Sequence, residues 1–454
     1  MNAQKFPINT INLLASLVAY NIEERDNNFY LYSRWCKNRL LPFDEQVDSK
    51  NLSKFFESIG CIYRDNIEYL FTFRANRLGE DEFVEYDSTN IACNSLHIPI
   101  VALGKGKDGT FRNQISFSSL TGSKKRMPVA YRYYNGNIHD SSTITDVINR
   151  FQNFKKIRGI VCDRGYSSIN NILACLKLKI NAIFAMKESS LTQESIDKFR
   201  DRLLSAKFDD RISNFNVYGI VDEKIIHDED GSYTIYIYVF YDPIKREKEN
   251  DKLQKTLELI EDAWNSNDKN IINDNQLEKY YVTPYGTPGK DTLCRDSSKI
   301  EHELKYSGFF VNTSTFKQTP QENLRVYVSR DGIEKYFKIE KLNIGHDTIR
   351  VHTLDTLMGR GLVYFISATI ILELIDRLTK PLIYHQKNNK VKYSAPLSSN
   401  LSLIEFFKIL KSVGIIYYQN GHVSLTEITK ELKSILIRLD LKDLYKQFGI
   451  GIYI

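Results

Sequence analysis

Ile157-Arg158-Gly159-Ile160-Val161-Cys162-Asp163-Arg164-Gly165-Tyr166 is the stretch on which the fold turns. Ile160 to Cys162 is a continuous apolar run rather than an alternating one, the mark of a strand covered on both faces. Asp163-Arg164-Gly165 breaks the run, and Ser167 to Leu178 then reads as a helix. A strand covered on both faces needs helices above and below it, which predicts an α/β protein built on a mixed sheet. Asp163 is left at the carboxyl end of that strand. A strand-end turn or an N-cap would also place an aspartate there.

Towards the N-terminus, Phe83 to Tyr86 reads as a second short strand, with Asp87 near its end. Gln114 to Leu120 and Pro128 to Tyr134 alternate and read as strands joined through the Gly122 to Arg126 turn. Ile144, Val147, Ile148 and Phe151 give Thr143 to Phe154 helical spacing, and Asn181 to Met186 reads as a further strand. Three antiparallel strands, a helix, a parallel strand, a helix and another strand suit a mixed sheet flanked by helices. That order brings the ends of the Asp87 and Asp163 strands next to each other.

Towards the C-terminus the informative run is Tyr327-Val328-Ser329-Arg330-Asp331-Gly332-Ile333-Glu334, continuing to Lys341. At about 100° per residue, Tyr327, Arg330, Glu334 and Lys341 fall within an arc of about 60° on one helical stripe. Ile333, Tyr336 and Ile339 fall on the opposite side, where a core would want them. Taken alone, the stripe also reads as a solvated helix face. With Asp87 and Asp163 it describes an oxygen-rich pocket flanked by cations, which suits Mg²⁺ and a phosphate. Two such ions about 4 Å apart can activate one oxygen and stabilise another in a phosphoryl displacement.

The ordered set resembles the DDE transposases of bacterial insertion sequences, in the group with a β-rich insertion before the last acidic residue. The resemblance covers roughly Asp81 to Leu378. It includes Tyr134-Asn135-Gly136-Asn137-Ile138-His139-Asp140, Asp163-Arg164-Gly165-Tyr166, Ser307-Gly308-Phe309-Phe310-Val311 and Arg330 to Phe337. It implies a ribonuclease H-like core in which Asp87, Asp163 and Glu334 are the catalytic metal ligands, holding two Mg²⁺ or Mn²⁺ ions. It implies Tyr327, Arg330 and Lys341 as contacts to DNA phosphates. The implied partners are double-stranded DNA, both the terminal inverted repeats and the target, and a second copy of the chain when assembled on DNA. One departure is Ser307, where many relatives carry an acidic residue.

On this reading residues 1–76 form a helical region that binds DNA, a role resting on the resemblance because no clean helix-turn-helix is visible. Residues 77–205 and 319–378 make the catalytic core, 206–318 a β-rich insertion, and 379–454 a helical C-terminal region. Within the insertion, Tyr233 to Tyr241 alternates and Ile244 to Asn265 reads as a charged helix. Trp264 there invites stacking on an unpaired base, but an ordinary packed aromatic is the weightier reading.

Composition narrows the classes. The 454 residues carry 62 Lys and Arg against 56 Asp and Glu, a net charge of +6 that suits DNA without demanding it. Lys105, Lys107, Arg112, Lys124, Lys125 and Arg126 follow Asp87, and Lys155, Lys156 and Arg158 precede Asp163; ordinary solubilising loops explain them equally well. Six scattered cysteines without a C-x-x-C pair speak against zinc and for reduced thiols in a cytoplasm, which the resemblance implies is a bacterial one, at the nucleoid. Gly104-Lys105-Gly106-Lys107-Asp108-Gly109 lacks the Gly-Lys-Ser/Thr ending of a phosphate loop. The apolar run Leu362 to Ile375 is too short for a bilayer and no signal peptide opens the chain, so no membrane is expected. The expected activity is metal-dependent cleavage at transposon ends and strand transfer. The alternatives are a nuclease of the same fold that does not join, and a truncated element product that only binds DNA.

Overall fold

The structure is a computed structural model, and it describes residues 7–43, 45–79, 81–106, 109–151, 156–268, 274–282, 287–288, 290–380, 382–385, 391–394, 403–420, 423–426 and 428–441. Lys107 and Lys155 of the basic loops lie outside the described residues.

The chain opens with α1 (Ile8–Glu24), α2 (Tyr32–Trp35) and α3 (Ser49–Ala75). Four strands follow: β1 (Glu82–Cys93), β2 (Ala102–Lys105), β3 (Phe111–Gly122) and β4 (Pro128–Asn135). Then come α4 (Asp140–Phe151), β5 (Ile157–Cys162), α5 (Ile169–Lys177), β6 (Ala182–Ala185) and α6 (Ser190–Leu204). The long connection carries β7 (Arg211–Ile212), β8 (Val217–Asp228), β9 (Gly231–Tyr241), α7 (Pro243–Asn265), α8 (Asp274–Tyr280), α9 (Ser297–Tyr306) and β10 (Phe309–Ser314). After it stand α10 (Pro320–Val328), α11 (Asp331–Asn343), β11 (Thr348–Ile349) and α12 (Leu354–Thr379). The last elements are β12 (Leu382–His385), β13 (Val391–Ser394), α13 (Leu403–Lys411), β14 (Ile415–Tyr417), β15 (Val423–Leu425) and α14 (Lys430–Arg438).

Two compact units emerge, one of residues 1–75, 88–137 and 332–454, the other of 76–87 and 138–331. β1 is shared, its first half in the second unit and its second half in the first. In the first unit β3 is antiparallel to both β2 and β4, and β11 runs parallel to the end of β1 through Ala92↔Thr348. In the second unit β1, β5 and β6 are parallel, and β10, β9, β8 and β7 continue the sheet antiparallel. The order β4-β3-β1-β5-β6 is that of a ribonuclease H-like sheet, and the later strands extend it.

β5 explains the apolar run. Ile160, Val161 and Cys162 are each 0 % exposed, so successive residues, which point to opposite faces, are both covered. Phe83, Val161 and Ile183 form one face and pack against Val326 and Tyr327 of α10. Tyr86 points to the other face, where its ring meets Tyr166 and its hydroxyl donates to Thr143 of α4 at 2.8 Å.

The segment between β6 and α10 is mixed. α7, α8 and α9 build a core of their own around Leu257, Ile260, Tyr281 and Trp264. Trp264 is buried and donates its indole N–H to the Asp291 carbonyl at 2.5 Å, so it is a core residue and not a stacking platform. Gly308 enters β10 at φ 80, and a Cβ there would lie 2.5 Å from that of Arg246. Only glycine meets both conditions without strain. Ser307 donates to Asn250 Oδ1 at 2.7 Å.

One reading of a helix is corrected. Leu362 to Ile375 belongs to a helix of 26 residues, Leu354–Thr379, long and apolar enough to cross a bilayer by length and composition alone. Thr353 caps it and Arg360 and Asp376 lie within it, which is why counting only the apolar run undercut its length. Its Val363, Phe365, Ala368 and Ile371 are buried in the core of the first unit. Within the N-terminal helical region, Leu52 to Phe71 lies inside one 27-residue helix, α3. α3 and α12 approach closely: a Cβ on Gly359 would lie 2.0 Å from the Phe56 carbonyl oxygen, and one on Gly60 1.8 Å from that of Asp355. The connector after Thr379 carries the β12–β13 hairpin before α13 and α14.

Candidate active site

Parallel pairing of β1 and β5 sets the first feature. Its last register pair is Tyr86↔Cys162, so Asp87 and Asp163 are the next residues along the two chains. Asp163 ends β5 as its sequence suggests, but β1 runs on to Cys93, so Asp87 sits in the middle of a 12-residue strand and not at the end of a short one. Side chains alternate along a strand, which puts Asp87 on the face of Phe83 and Glu85, and Asp163 on the face of Val161. That is the face α10 covers. Both aspartates are partly exposed, whereas Glu85 is fully buried. Sequence reading passed over Glu85, although its two-residue spacing from Asp87 puts it on the same face.

Asp163 keeps its extended conformation (φ −73, ψ 169) and accepts the Arg164 N–H at 2.7 Å, capping the 3-10 turn Arg164–Tyr166. The cap reading is therefore part of the truth, while α5 is capped separately by Ser168. Asp163 Oδ1 also pairs with Arg330 Nη1 at 3.1 Å, with the two side chains 33 % and 13 % exposed. Arg330 in turn lies over the Tyr327 ring, 5.7 Å from its centroid. Burial works to lower the Arg330 pKa, but Asp163, Tyr327 and Asp87 outweigh it and hold the guanidinium above its ordinary value. Arg330 therefore stays cationic.

Tyr327, Arg330, Glu334 and Lys341 do not share one helix. α10 ends at Val328 and α11 begins at Asp331. Ser329 Oγ donates to the Val326 carbonyl at 2.6 Å, and the Arg330 N–H closes a turn on the Tyr327 carbonyl at 3.2 Å. A serine that bonds back to its own helix and a glycine at 332 favour a break here. Tyr327 thus sits on α10, Arg330 in the turn, and Glu334 and Lys341 on α11.

The structure brings Asp87, Asp163, Tyr327 and Arg330 together in the second unit, while Glu334 and Lys341 belong to the first. On α11, Glu334 is exposed, and Ile333, Tyr336 and Ile339 are buried on the opposite side as their spacing predicts. Lys341 Nζ donates to Thr89 Oγ1 at 2.6 Å and to the Asn90 carbonyl at 3.3 Å, both on β1.

Among the described residues no three His, Cys, Asp or Glu side chains gather as a ready cation site. The donors that do meet are the carboxylates of Asp87 and Asp163, hard oxygen ligands of the kind Mg²⁺ and Mn²⁺ prefer. Arg330 against Asp163 shows that this corner takes positive charge. The chemistry of the residues fits a divalent ion.

A cleft of about 1070 Å³ opens in the same unit, and Arg164, next in the chain after Asp163, is among its lining residues. Lys187, Lys245, Lys252, Lys279 and Lys299 line it with Arg164, against three glutamates. Lys279 pairs with Glu303 at 2.7 Å and Lys245 with Glu249 at 3.6 Å.

No curated protein matches the sequence. A remote likeness exists to the cryo-EM structure of a piggyBac transposase synaptic complex with hairpin DNA, with a TM-score of 0.39 and 9% identity over 98% of this chain and 76% of that one. The model of the transposase DDE domain matches residues 79–370, a span that takes in both aspartates, the turn at Arg330 and α11. The chain belongs to the DDE transposase family.

Proposed function

We propose that this chain cuts DNA at the ends of its own mobile element and joins the freed 3′ hydroxyl to target DNA. Asp87, Asp163 and Glu334 are the ligands of two Mg²⁺ or Mn²⁺ ions. When bound, such ions lower the pKa of an attacking water and offset charge on the leaving oxygen. Arg330 and Lys341 balance phosphate charge, and Tyr327, against whose ring Arg330 lies, positions the strand. The cations of the cleft beside Arg164 take up DNA backbone. Two copies act together, since two ends must be paired.

The observation that carries this reading is the register of β1 and β5, which sets two aspartates side by side with a guanidinium on one of them. The test is cleavage of a labelled duplex carrying the element's end, with Mg²⁺, Mn²⁺ or chelator. Metal-dependent nicking at the terminal nucleotide, lost in Asp163→Ala, is the expected result. Cutting without joined product would favour the nuclease. Tight binding with no cut in either metal would leave a DNA-binding regulator.

A further inference from the structure

The buried face of α11 contains a carboxylate. Glu340 is 2 % exposed, and both of its oxygens are used. Oε1 accepts from the Tyr336 hydroxyl at 2.6 Å, and Oε2 lies 2.6 Å from Nδ1 of His346. His346, 1 % exposed, reaches the Tyr133 hydroxyl of β4 with Nε2 at 3.0 Å. Its backbone N–H bonds the Glu340 carbonyl at 2.9 Å, closing the loop after α11. That loop is held from outside as well. Asn27 donates to the carbonyls of Gly345 and Thr348 at 2.7 and 2.6 Å, and Asn21 to that of Ile344 at 3.1 Å. The Phe117 and Tyr364 rings wall the imidazole at 4.9 and 4.5 Å. A Cβ on Gly361 of α12 would lie 2.6 Å from the Tyr133 hydroxyl, so the backbone of α12 backs the chain.

Burial, reinforced by the Glu340 charge, pushes the Tyr133 hydroxyl far above its ordinary pKa, so it keeps its proton and can donate. Tyr133 donating to Nε2 leaves the imidazole proton on Nδ1, where it bonds Glu340. Four residues from α11, β4 and the loop after α11 are thereby locked head to tail. Apolar side chains of similar volume would fill this space with equal or greater stability, because a buried carboxylate carries a desolvation penalty. What a directional chain adds is orientation. Turning α11 by one residue would swing its outward stripe by about 100°.

We propose that Tyr336, Glu340, His346 and Tyr133 are positioning residues that set the rotation of α11, and so present Glu334 and Lys341 to the reaction. The inference rests on the role given to Glu334 above. The chain itself touches no reacting atom.

The test uses the full-length protein as wild type, Tyr133→Phe, His346→Leu and His346→Asn. Tyr133→Phe removes one hydroxyl and leaves the ring, so it reads out even if His346→Leu fails to fold. Four quantities are measured below the melting temperature: amide hydrogen exchange across α11, Mn²⁺ binding by electron paramagnetic resonance, and kcat and KM for cleavage of an end duplex. Tyr133→Phe and His346→Leu are expected to exchange faster across α11. Their Mn²⁺ half-saturation should rise, and kcat should fall about tenfold to a hundredfold with KM for DNA unchanged. His346→Asn, whose amide can stand at the Nδ1 position, should recover part of each effect. Unchanged α11 exchange and Mn²⁺ binding in both Tyr133→Phe and His346→Leu would overturn the proposal, as would equal losses in His346→Asn and His346→Leu. If wild type neither binds Mn²⁺ nor cleaves, the proposed function fails by itself, and α11 exchange alone decides whether the chain anchors the helix.

Discussion

Asp87 and Asp163 are neighbours because each follows directly on Tyr86↔Cys162, the last register pair of two parallel strands. Residues that act as one unit lose their effect together. Asp87→Ala and Asp163→Ala are each expected to abolish cleavage, with the double variant no worse than either. Additive losses in a single-turnover assay would mean that the two carboxylates act separately.

Glu334→Gln keeps the size of an exposed side chain and removes its charge. End binding should survive while cleavage falls by about a thousandfold or more, the several kcal/mol of metal-borne stabilisation at stake. Binding and cutting are read on the same labelled duplex, and full cleavage by this variant would refute the assignment.

Arg330 joins Asp163 to the Tyr327 ring. Arg330→Lys keeps the charge but not the planar fork, so it should restore little of what Arg330→Ala loses. The expected loss in DNA affinity is about tenfold for either, or about 1.4 kcal/mol. Because its pKa is held above the ordinary value, Arg330 remains charged as pH rises through the neutral and alkaline range. Its contribution should therefore be flat across pH 7 to 9, a range set by buffer choice. A decline in wild-type affinity that is absent in Arg330→Ala would contradict this.

Gly359 lies where α12 meets α3, with no room for a side chain against the Phe56 carbonyl. Gly359→Ala raises helix propensity but forces the helices apart, and a net loss of about 1–3 kcal/mol is expected. Thermal denaturation reads this directly. A melting temperature at or above that of wild type would show that the contact relaxes freely.

Burial raises the pKa of the Cys162, Cys175 and Cys93 thiols, that of Cys175 to about 12. The thiolate is the reactive form, so these three remain protonated and unreactive at pH 8, a pH chosen for the assay. Cys61 and Cys294 are exposed. Iodoacetamide followed by peptide mapping should modify those two first, and the buried three only after unfolding. Early labelling of Cys162 would show that β5 opens in the native protein.

Much of the architecture was legible. The unbroken apolar run before Asp163 required a strand covered on both faces, and β5 is that strand. Ile333, Tyr336 and Ile339 marked the inner face of α11 by spacing alone. The stripe from Tyr327 to Lys341 was the main misreading of continuity. A period of 3.6 does not register a turn as short as Ser329-Arg330, and the hydroxyl bond that helps make it is a local detail. Trp264 was an ambiguous aromatic until Asp291 and the α7 to α9 core surrounded it.

By itself the sequence determined the main strands of the sheet, which faces are apolar, and that Asp163 ends its strand. These properties depend on residues a few positions apart. Tertiary structure alone decided that β1 and β5 pair in the register that aligns those aspartates, that Arg330 settles on Asp163, and that Glu340 faces inward to meet His346 and Tyr133. The physical reason is common to all three. A buried or half-buried polar group must find its partner wherever the packed chain supplies one, and here several of those partners lie far away in sequence.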